Sequence, residues 1–352
     1  MKILQLVDSL EIGGTERMCV NIANMLSSHN IENKLVVTRA PHSLKPLLNR
    51  ETEILLTNKK SRWDLFTFLK IYRFVRKIKP NYIHSHSTTL FWACLLKILI
   101  PTTKLIWHDH YGNRKVSGDK IIHKVLSIFL NATITVNDEL THWHHNYLLM
   151  EPSNIKYLPN FPVLKNISFQ NRDIKTIVIN ANLLPVKNHM MLLKALVIVH
   201  RKKIEFKLII IGKEIDEHYT NTLKVFIQEN GLGNNVMLMG QVTDIEKFLG
   251  LASIGVITSN SEGLPMSLLE YGLAKLAVIS TNVGQCASVL KDGEFGWIVE
   301  PNDVESLAKV IELLLMNPSL VEDKSSKFYE HIKTEFSGEC FFEEYNSYLN
   351  TL

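Results

Sequence analysis

The chain has 352 residues, enough for two ordinary domains, and at 46% hydrophobic and 21% charged it has a globular composition without low-complexity tracts. Its four cysteines, Cys19, Cys94, Cys286 and Cys340, form no Cys-x-x-Cys pair, which excludes a disulfide framework or cysteine zinc site as the simplest reading and suits reduced cytosolic thiols. The formal charge of +4 is uneven: residues 1–160 hold 21 Lys and Arg against 12 Asp and Glu, leaving 18 against 23 for the rest, so an anionic surface is expected as partner for the front half alone, with no nucleic acid.

The opening Lys2–Val7 reads as a first strand and is too soon interrupted for a secretory signal. No apolar run of eighteen residues predicts a membrane-spanning helix, and a cytoplasmic protein is expected. Further strands are expected at Lys34–Thr38, Tyr82–His84, Lys104–Trp107 and Thr133–Val136, with helices at Glu16–Ser27, Asp64–Ile78, Leu90–Leu99 and Lys120–Leu130 between them. Such alternation predicts parallel βαβ units. Pro159 and Pro162 mark the best domain boundary. A second series follows, with strands at Thr176–Asn180, Leu208–Ile211, Val236–Met239, Ile254–Ile257, Ala277–Ser280 and Trp297–Val299. Its helices are expected at His189–His200, Thr220–Gln228, Ile245–Leu249, Met266–Lys275 and Val304–Met316, the last opened by an Asn302/Glu305 capping box. The tail, Leu320–Tyr348, reads as helical.

The most informative stretch is Ser261–Glu270. Glu262 falls in the loop beyond a buried strand, and Glu270 about two turns into a helix opened by Pro265. Ligands bind at that edge of open α/β sheets, and helix N-termini there favour anions. A carboxylate among Leu268, Leu269, Leu273 and Ala274 needs a hydrogen-bonding partner, which a ribose diol would supply. Gly13-Gly14 opens the first helix and lets backbone approach a phosphate or sugar; the alternative is an ordinary tight turn, and no nicotinamide fingerprint accompanies it. Lys187, just before a helix, either meets a diphosphate or is a solvated loop lysine. His84-Ser85-His86 and His108-Asp109-His110 invite a metal reading, but His142, His144 and His145 lie on a helix and no Asp-x-Asp pair exists, so neutral histidines touching a substrate hydroxyl are expected instead. The basic, aromatic stretch Arg62–Lys79 reads as a crossover helix packed on its sheet, whose cationic face and flanks suit an anionic bilayer surface.

Together, Gly240, Ser259–Glu270 with its Glu-x7-Glu spacing, Gly284, Asp292-Gly293 and Gly296 resemble the retaining glycosyltransferases of family GT4, group 1. That resemblance implies a GT-B fold: two doubly wound Rossmann-like domains facing across a cleft, an acceptor-binding domain at 1–160, a nucleotide-sugar domain at 161–335 and a final helix at 336–352 returning to the first. It implies that Glu262 contacts the donor sugar near the reacting carbon, that the backbone of Gly263, Leu264, Pro265 and Met266 faces the donor, that Glu270 binds the ribose, and that Lys187 neutralises the diphosphate. Gly13, Gly14, Gly212 and Gly240 join the donor-binding set, and His108 matches the family histidine near the sugar. The family usually has arginine where this chain has Asn182, which leaves the diphosphate to Lys187 and helix dipoles, with Arg17 or Arg114 as helper. The implied reaction moves a sugar from a nucleotide diphosphate, UDP by family frequency, to a saccharide hydroxyl with retention. It needs no metal or cofactor, and the acceptor is expected to be lipid-linked, in capsule, O-antigen or exopolysaccharide assembly, at the inner membrane face. A catalytically silent nucleotide-sugar binder and a metal-dependent hydrolase using the His-x-His pairs are the alternatives.

Overall fold

The computed structural model describes residues 1–111, 120–165 and 167–352. They divide into two compact units, one of residues 1–161 with 338–352 and one of residues 162–337.

The first unit holds strands β1 (Lys2–Val7), β2 (Glu32–Val37), β3 (Glu53–Leu56), β4 (Tyr82–His86), β5 (Lys104–Asp109), β6 (Ala132–Thr135) and β7 (Ile155–Tyr157), all parallel, in the order β3-β2-β1-β4-β5-β6-β7. The chain winds outward from β1 to β3, then crosses back to lay β4 on the other side of β1. The strand order therefore reverses between β1 and β4, where a crevice opens at the strands' carboxyl ends. Helices α1 (Gly14–Ser28), α2 (Leu65–Ile78), α3 (Leu90–Leu99), α4 (Lys120–Leu126) and α5 (Asp138–Tyr147) belong to this unit. Strands β3 and β7 escape sequence reading because they are only four and three residues long, at the two sheet edges. The α2 helix buries Phe68, Ile71, Val75 and Ile78, at helical spacing, against Leu4, Leu6 and Ile83 of the sheet. Asp64 caps it, accepting from Thr67 N at 3.1 Å.

The second unit holds β8 (Thr176–Asn180), β9 (Lys207–Ile211), β10 (Val236–Gly240), β11 (Ile254–Ile257), β12 (Ala277–Thr281) and β13 (Trp297–Val299), again parallel, ordered β10-β9-β8-β11-β12-β13. Its order reverses between β8 and β11. Its helices are α6 (His189–Arg201), α7 (Glu217–Glu229), α8 (Ile245–Leu251), α9 (Met266–Leu273), α10 (Cys286–Val289), α11 (Val304–Met316) and α12 (Pro318–Glu335). Both sheet faces are covered. Ile177, Ile179, Leu208 and Ile210 pack towards Leu192 and Leu196 of α6, while Val178, Ile209 and Ile211 pack towards Leu268 and Leu269 of α9. Alternate residues of one strand serve opposite faces, so these strands read as continuous apolar runs.

The last helix, α13 (Gly338–Thr351), belongs to the first unit, where it packs on α1. One capping expectation is corrected. Asp303, not Asn302, caps α11, accepting from Ser306 N at 2.9 Å. Asn302 has a left-handed backbone (φ 68°), and its Oδ1 accepts from Asn188 Nδ2 instead. Among the described residues no helix is long and apolar enough to cross a membrane.

Candidate active site

In the second unit, the predicted residues converge where β8 and β11 end. The loop after β11 is stitched to the loop before α6: Asn260 N donates to Val186 O at 2.8 Å, and Thr258 Oγ1 to Lys187 O at 3.0 Å. Asn188, itself left-handed (φ 49°), caps α6 through Met191 N and donates to Asn260 Oδ1. The other side of the segment rests on the turn after β12. Gln285 N donates to Gly263 O at 2.9 Å. Gly284, at φ +53°, comes so close that a Cβ there would lie 2.3 Å from Gly263 O and 2.5 Å from Glu262 O. Only glycine fits both that backbone and that space.

This frame fixes Glu262. Its Oε1 accepts from Lys187 Nζ and from Ser259 Oγ, each at 2.6 Å, and both members of the ion pair are largely buried. Glu262, expected near the reacting carbon, and Lys187, expected at the adjoining diphosphate, are here in direct contact. Ser259 carries no signal of its own beyond lying three residues before Glu262.

Glu270 is the fifth residue of α9, just over one turn in rather than two, and only 5% exposed. Its Oε2 accepts from Asn180 Nδ2 at 3.1 Å. The partner a buried carboxylate requires thus comes in part from the end of β8. Tyr271 sets this pairing. Its ring fills the space left by Gly255, where a Cβ would come within 2.6 Å of it, and its hydroxyl accepts from Asn180 N at 2.7 Å while facing Val256 O. Burial pushes the phenol far up, so it stays a neutral hydroxyl.

The remaining donor-binding candidates divide by role. Pro265 is extended and precedes the first turn of α9, so Met266 opens the helix, and Leu264 is buried in the core. Asn182 is spent on the backbone, its Oδ1 accepting from Lys213 N at 3.0 Å. Gly212 allows strand-end backbones to touch, since a Cβ would lie 2.0 Å from Ala181 O. Gly240, left-handed at φ +66°, faces open space.

In the first unit, Gly13 and Gly14 begin α1, with Gly13 extended as its N-cap; a Cβ at Gly13 would meet Glu16 Oε2 at 2.6 Å. Burial, aided by Glu11 and Asp8, raises the Glu16 carboxyl above its usual range. Burial also works to raise Asp8, but hydrogen bonds from Arg39, Lys59 and Thr38 outweigh it and hold that carboxyl low. A cavity of about 280 Å³ opens at the β1/β4 reversal, lined by Asp8, Thr15, Glu16, His86, Ser87, His110 and Tyr111 among others. Of the helper arginines, Arg17 lies in α1, and Arg114 falls outside the described residues.

His108 is fully buried, and it is His86 and His110 that line this cavity. Strand alternation in β4 and β5 brings His84, His86 and His108 together on one face, and His110, just past β5, stacks on His108. Burial drives all four towards the neutral form, His84 to about 3 and His110 to about 4. Nitrogens of His84, His86 and His108 lie close enough for one cation. The His84 and His86 rings are stacked at 4.5 Å and the His108 and His110 rings at 3.9 Å. Hydrogen bonds link His84 Nε2 with His108 Nδ1 at 3.1 Å and His86 Nδ1 with His110 Nε2 at 3.0 Å. His144 stands apart, buried on α5 with its Nε2 3.2 Å from Asp109 Oδ2.

Comparison with known proteins agrees with this architecture. A family model described as glycosyl transferases group 1 matches residues 161–334, and one described as glycosyltransferase family 4 matches residues 12–162. The chain belongs to the family 4, group 1 glycosyltransferases. It is 24% identical over 99% of both chains to the amylovoran biosynthesis glycosyltransferase AmsD of Erwinia amylovora. It is 22% identical, over 70% of each, to an Escherichia coli UDP-Gal:α-D-GlcNAc-diphosphoundecaprenol α-1,3-galactosyltransferase. Its fold superposes on Anabaena HepE, solved with UDP-glucose, with a TM-score of 0.83 at 16% identity over the full length of both. The fold is thus the GT-B type, built of two Rossmann-like domains.

Proposed function

We propose that this transferase moves a hexosyl group from a UDP-sugar to a hydroxyl of a saccharide acceptor, with retention and without a metal ion. The observation that carries this reading is the pairing of Lys187 with Glu262 and of Asn180 with Glu270 around the N-terminus of α9. A lysine ammonium has three donors, so one N–H on Glu262 leaves two for diphosphate oxygens. Charge growing on the leaving diphosphate is then met by Lys187 and the first amides of α9, a task given elsewhere to a divalent ion. Glu262 faces the sugar, Glu270 accepts from the ribose hydroxyls, and the departing phosphate assists deprotonation of the acceptor on the same face. The bound donor of HepE supports UDP-glucose as the first donor to try.

A thermal-shift series with UDP-sugars tests the donor, since ligand at a hundredfold excess over Kd adds about 2.7 kcal/mol of stability. Transfer that persists in chelator and vanishes in Glu262→Ala confirms the reaction; donor binding without turnover in the unaltered protein identifies a silent binder instead.

The acceptor is proposed to be lipid-linked, in cell-surface polysaccharide assembly, in line with the acceptor named for the Escherichia coli relative. A surface of the first unit supports this. Trp63, just before α2, and Phe66, in its first turn, are 74% and 89% exposed, and Ile121 of α4 is 77% exposed. Trp63 meets Phe91 edge-on, and Phe91 lines a groove of about 450 Å³ with Lys60, Arg62 and Ile122. Apolar side chains ringed by cations suit an anionic bilayer. Flotation with anionic vesicles at low salt is expected to carry the protein up, and Phe66→Asp to leave it behind; no flotation of the unaltered protein refutes the membrane contact.

A further inference from the structure

Within the first unit, a chain of buried polar contacts ends at the cavity wall, and its direction can be deduced from a single backbone carbonyl. The carbonyl oxygen of Ala23 in α1 only accepts, so the Asn33 atom facing it at 3.4 Å is the donor Nδ2. Asn33 Oδ1 then faces Gln5 and accepts from Gln5 Nε2 at 3.1 Å. That turns Gln5 Oε1 towards His86, where it accepts from Nε2 at 3.0 Å; it also accepts from the Cys19 thiol. With its proton on Nε2, a neutral His86 has a lone pair on Nδ1, which accepts from His110 Nε2 at 3.0 Å. His110 therefore carries its proton on Nε2. Its Nδ1, buried and without a partner among the described residues, is left with a lone pair. Asn33, Gln5 and His86 are themselves buried, and burial keeps both imidazoles neutral, so the order of donors is not scrambled by protonation at neutral pH.

We propose that Asn33, Gln5 and His86 form a positioning relay that locks His110, in the wall of the 280 Å³ cavity between β1 and β4, in the Nε2–H tautomer, so that its Nδ1, covered in this structure, offers only a lone pair to a saccharide hydroxyl that displaces its cover. The ligand class rests on the glycosyl-transfer reading; the relay does not. An acceptor-only nitrogen selects hydroxyl donors over carbonyls, which a histidine free to exchange tautomers would not do. The parallel branch lacks this definition. Tyr345 meets His84 Nδ1 at 2.9 Å, and a hydroxyl both donates and accepts, so the protons of His84 and His108 can run either way.

Nitrogen-15 NMR of histidine-labelled protein, without substrate, reads each ring nitrogen as protonated or bare. The expected result is a bare Nδ1 and a protonated Nε2 for His110 and the same for His86. Gln5→Met removes the acceptor that orients His86 and is expected to let both rings exchange tautomers, with a fivefold to tenfold fall in kcat/KM, about the value of one hydrogen bond. A protonated Nδ1 on His110 in the unaltered protein overturns the relay even if Gln5→Met fails to fold. So do cluster signals that change on adding chelator, which would make the site a metal centre. Titration with glucose, a saccharide without the nucleotide, then tests the ligand: a shift at His110 Nδ1 supports the saccharide contact, and a nitrogen that stays unmoved up to saturating glucose removes it. Failure of UDP-glucose to bind or react counts against the transferase reading and leaves the tautomer result standing.

Discussion

The two sheets have the same parallel construction and reverse strand order at equivalent places, yet they furnish those places with different chemistry. Where β8 and β11 end, the second unit sets a lysine against Glu262, and a second carboxylate, Glu270, just over one turn into α9. Where β1 and β4 end, the first unit buries amides and neutral imidazoles beside Asp8, which is paired with Arg39 and Lys59. A charge at a strand end next to a helix N-terminus suits an anionic ligand that must later leave. A neutral network suits hydroxyl groups that have to be oriented and not ionised. The fold thus supplies two crevices, and side-chain chemistry divides the labour between them.

The sharpest test of that contrast is removal of the charge. Lys187→Ala should lower kcat by about a hundredfold to a thousandfold, the usual cost of one donor aimed at developing charge. Glu270→Gln should act mainly through KM for the donor. Equal effects from the two variants would dissolve the assigned roles.

Acid should separate the units next. His84 and His110 fall to about 3 and about 4 when folded, against His189 at about 4 in the second unit, where partial burial also lowers His331. Each has an unfolded value near 6.5, so the unfolded chain takes up protons first. Stability is therefore complete above about pH 6.5 and declines as pH falls towards 4, by up to about 1.4 kcal/mol per pH unit for each histidine. The first unit, which also buries His86 and His108, should lose amide protection at a higher pH than the second. Hydrogen exchange across that range checks the order.

The smallest effects concern the frame. Tyr271→Phe removes the hydroxyl that receives Asn180 N, and should cost about 1–3 kcal/mol. Gly284→Ala should cost a similar amount, because it combines a left-handed backbone with a contact against Glu262 and Gly263. Urea titration measures both, and donor KM should rise with the loss if the frame positions the carboxylates.

Much of this is legible in the sequence alone. The long apolar strands of the second unit announce themselves because both sheet faces are covered, and the Glu262–Glu270 segment stands out because a carboxylate amid leucines demands an explanation. Short edge strands such as β3 and β7 carry too few residues for periodicity to register. The Lys187–Glu262 contact was invisible because 75 residues separate the partners, and only the pairing of β8 with β11 brings them together. The importance of Gln5 was hidden for a related reason. A glutamine inside a first strand has no local signature, and its role appears only when β4 sets His86 beside it. His108 drew attention by its place in a motif, while strand alternation and depth decide that His110 reaches the cavity.

Helix α13 gives the first unit a history as well as a shape. Tyr345 OH lies 2.9 Å from His84, and Tyr82 donates to Leu349 O, so this unit lacks part of its interior until the final residues arrive. On the ribosome, the uninterrupted second unit can finish folding while the first, although translated earlier, still waits for its closing piece. A protein cut after Ser337 should therefore pair a complete second unit with an incomplete first one, and should be rescued by supplying residues 338–352 as a separate peptide.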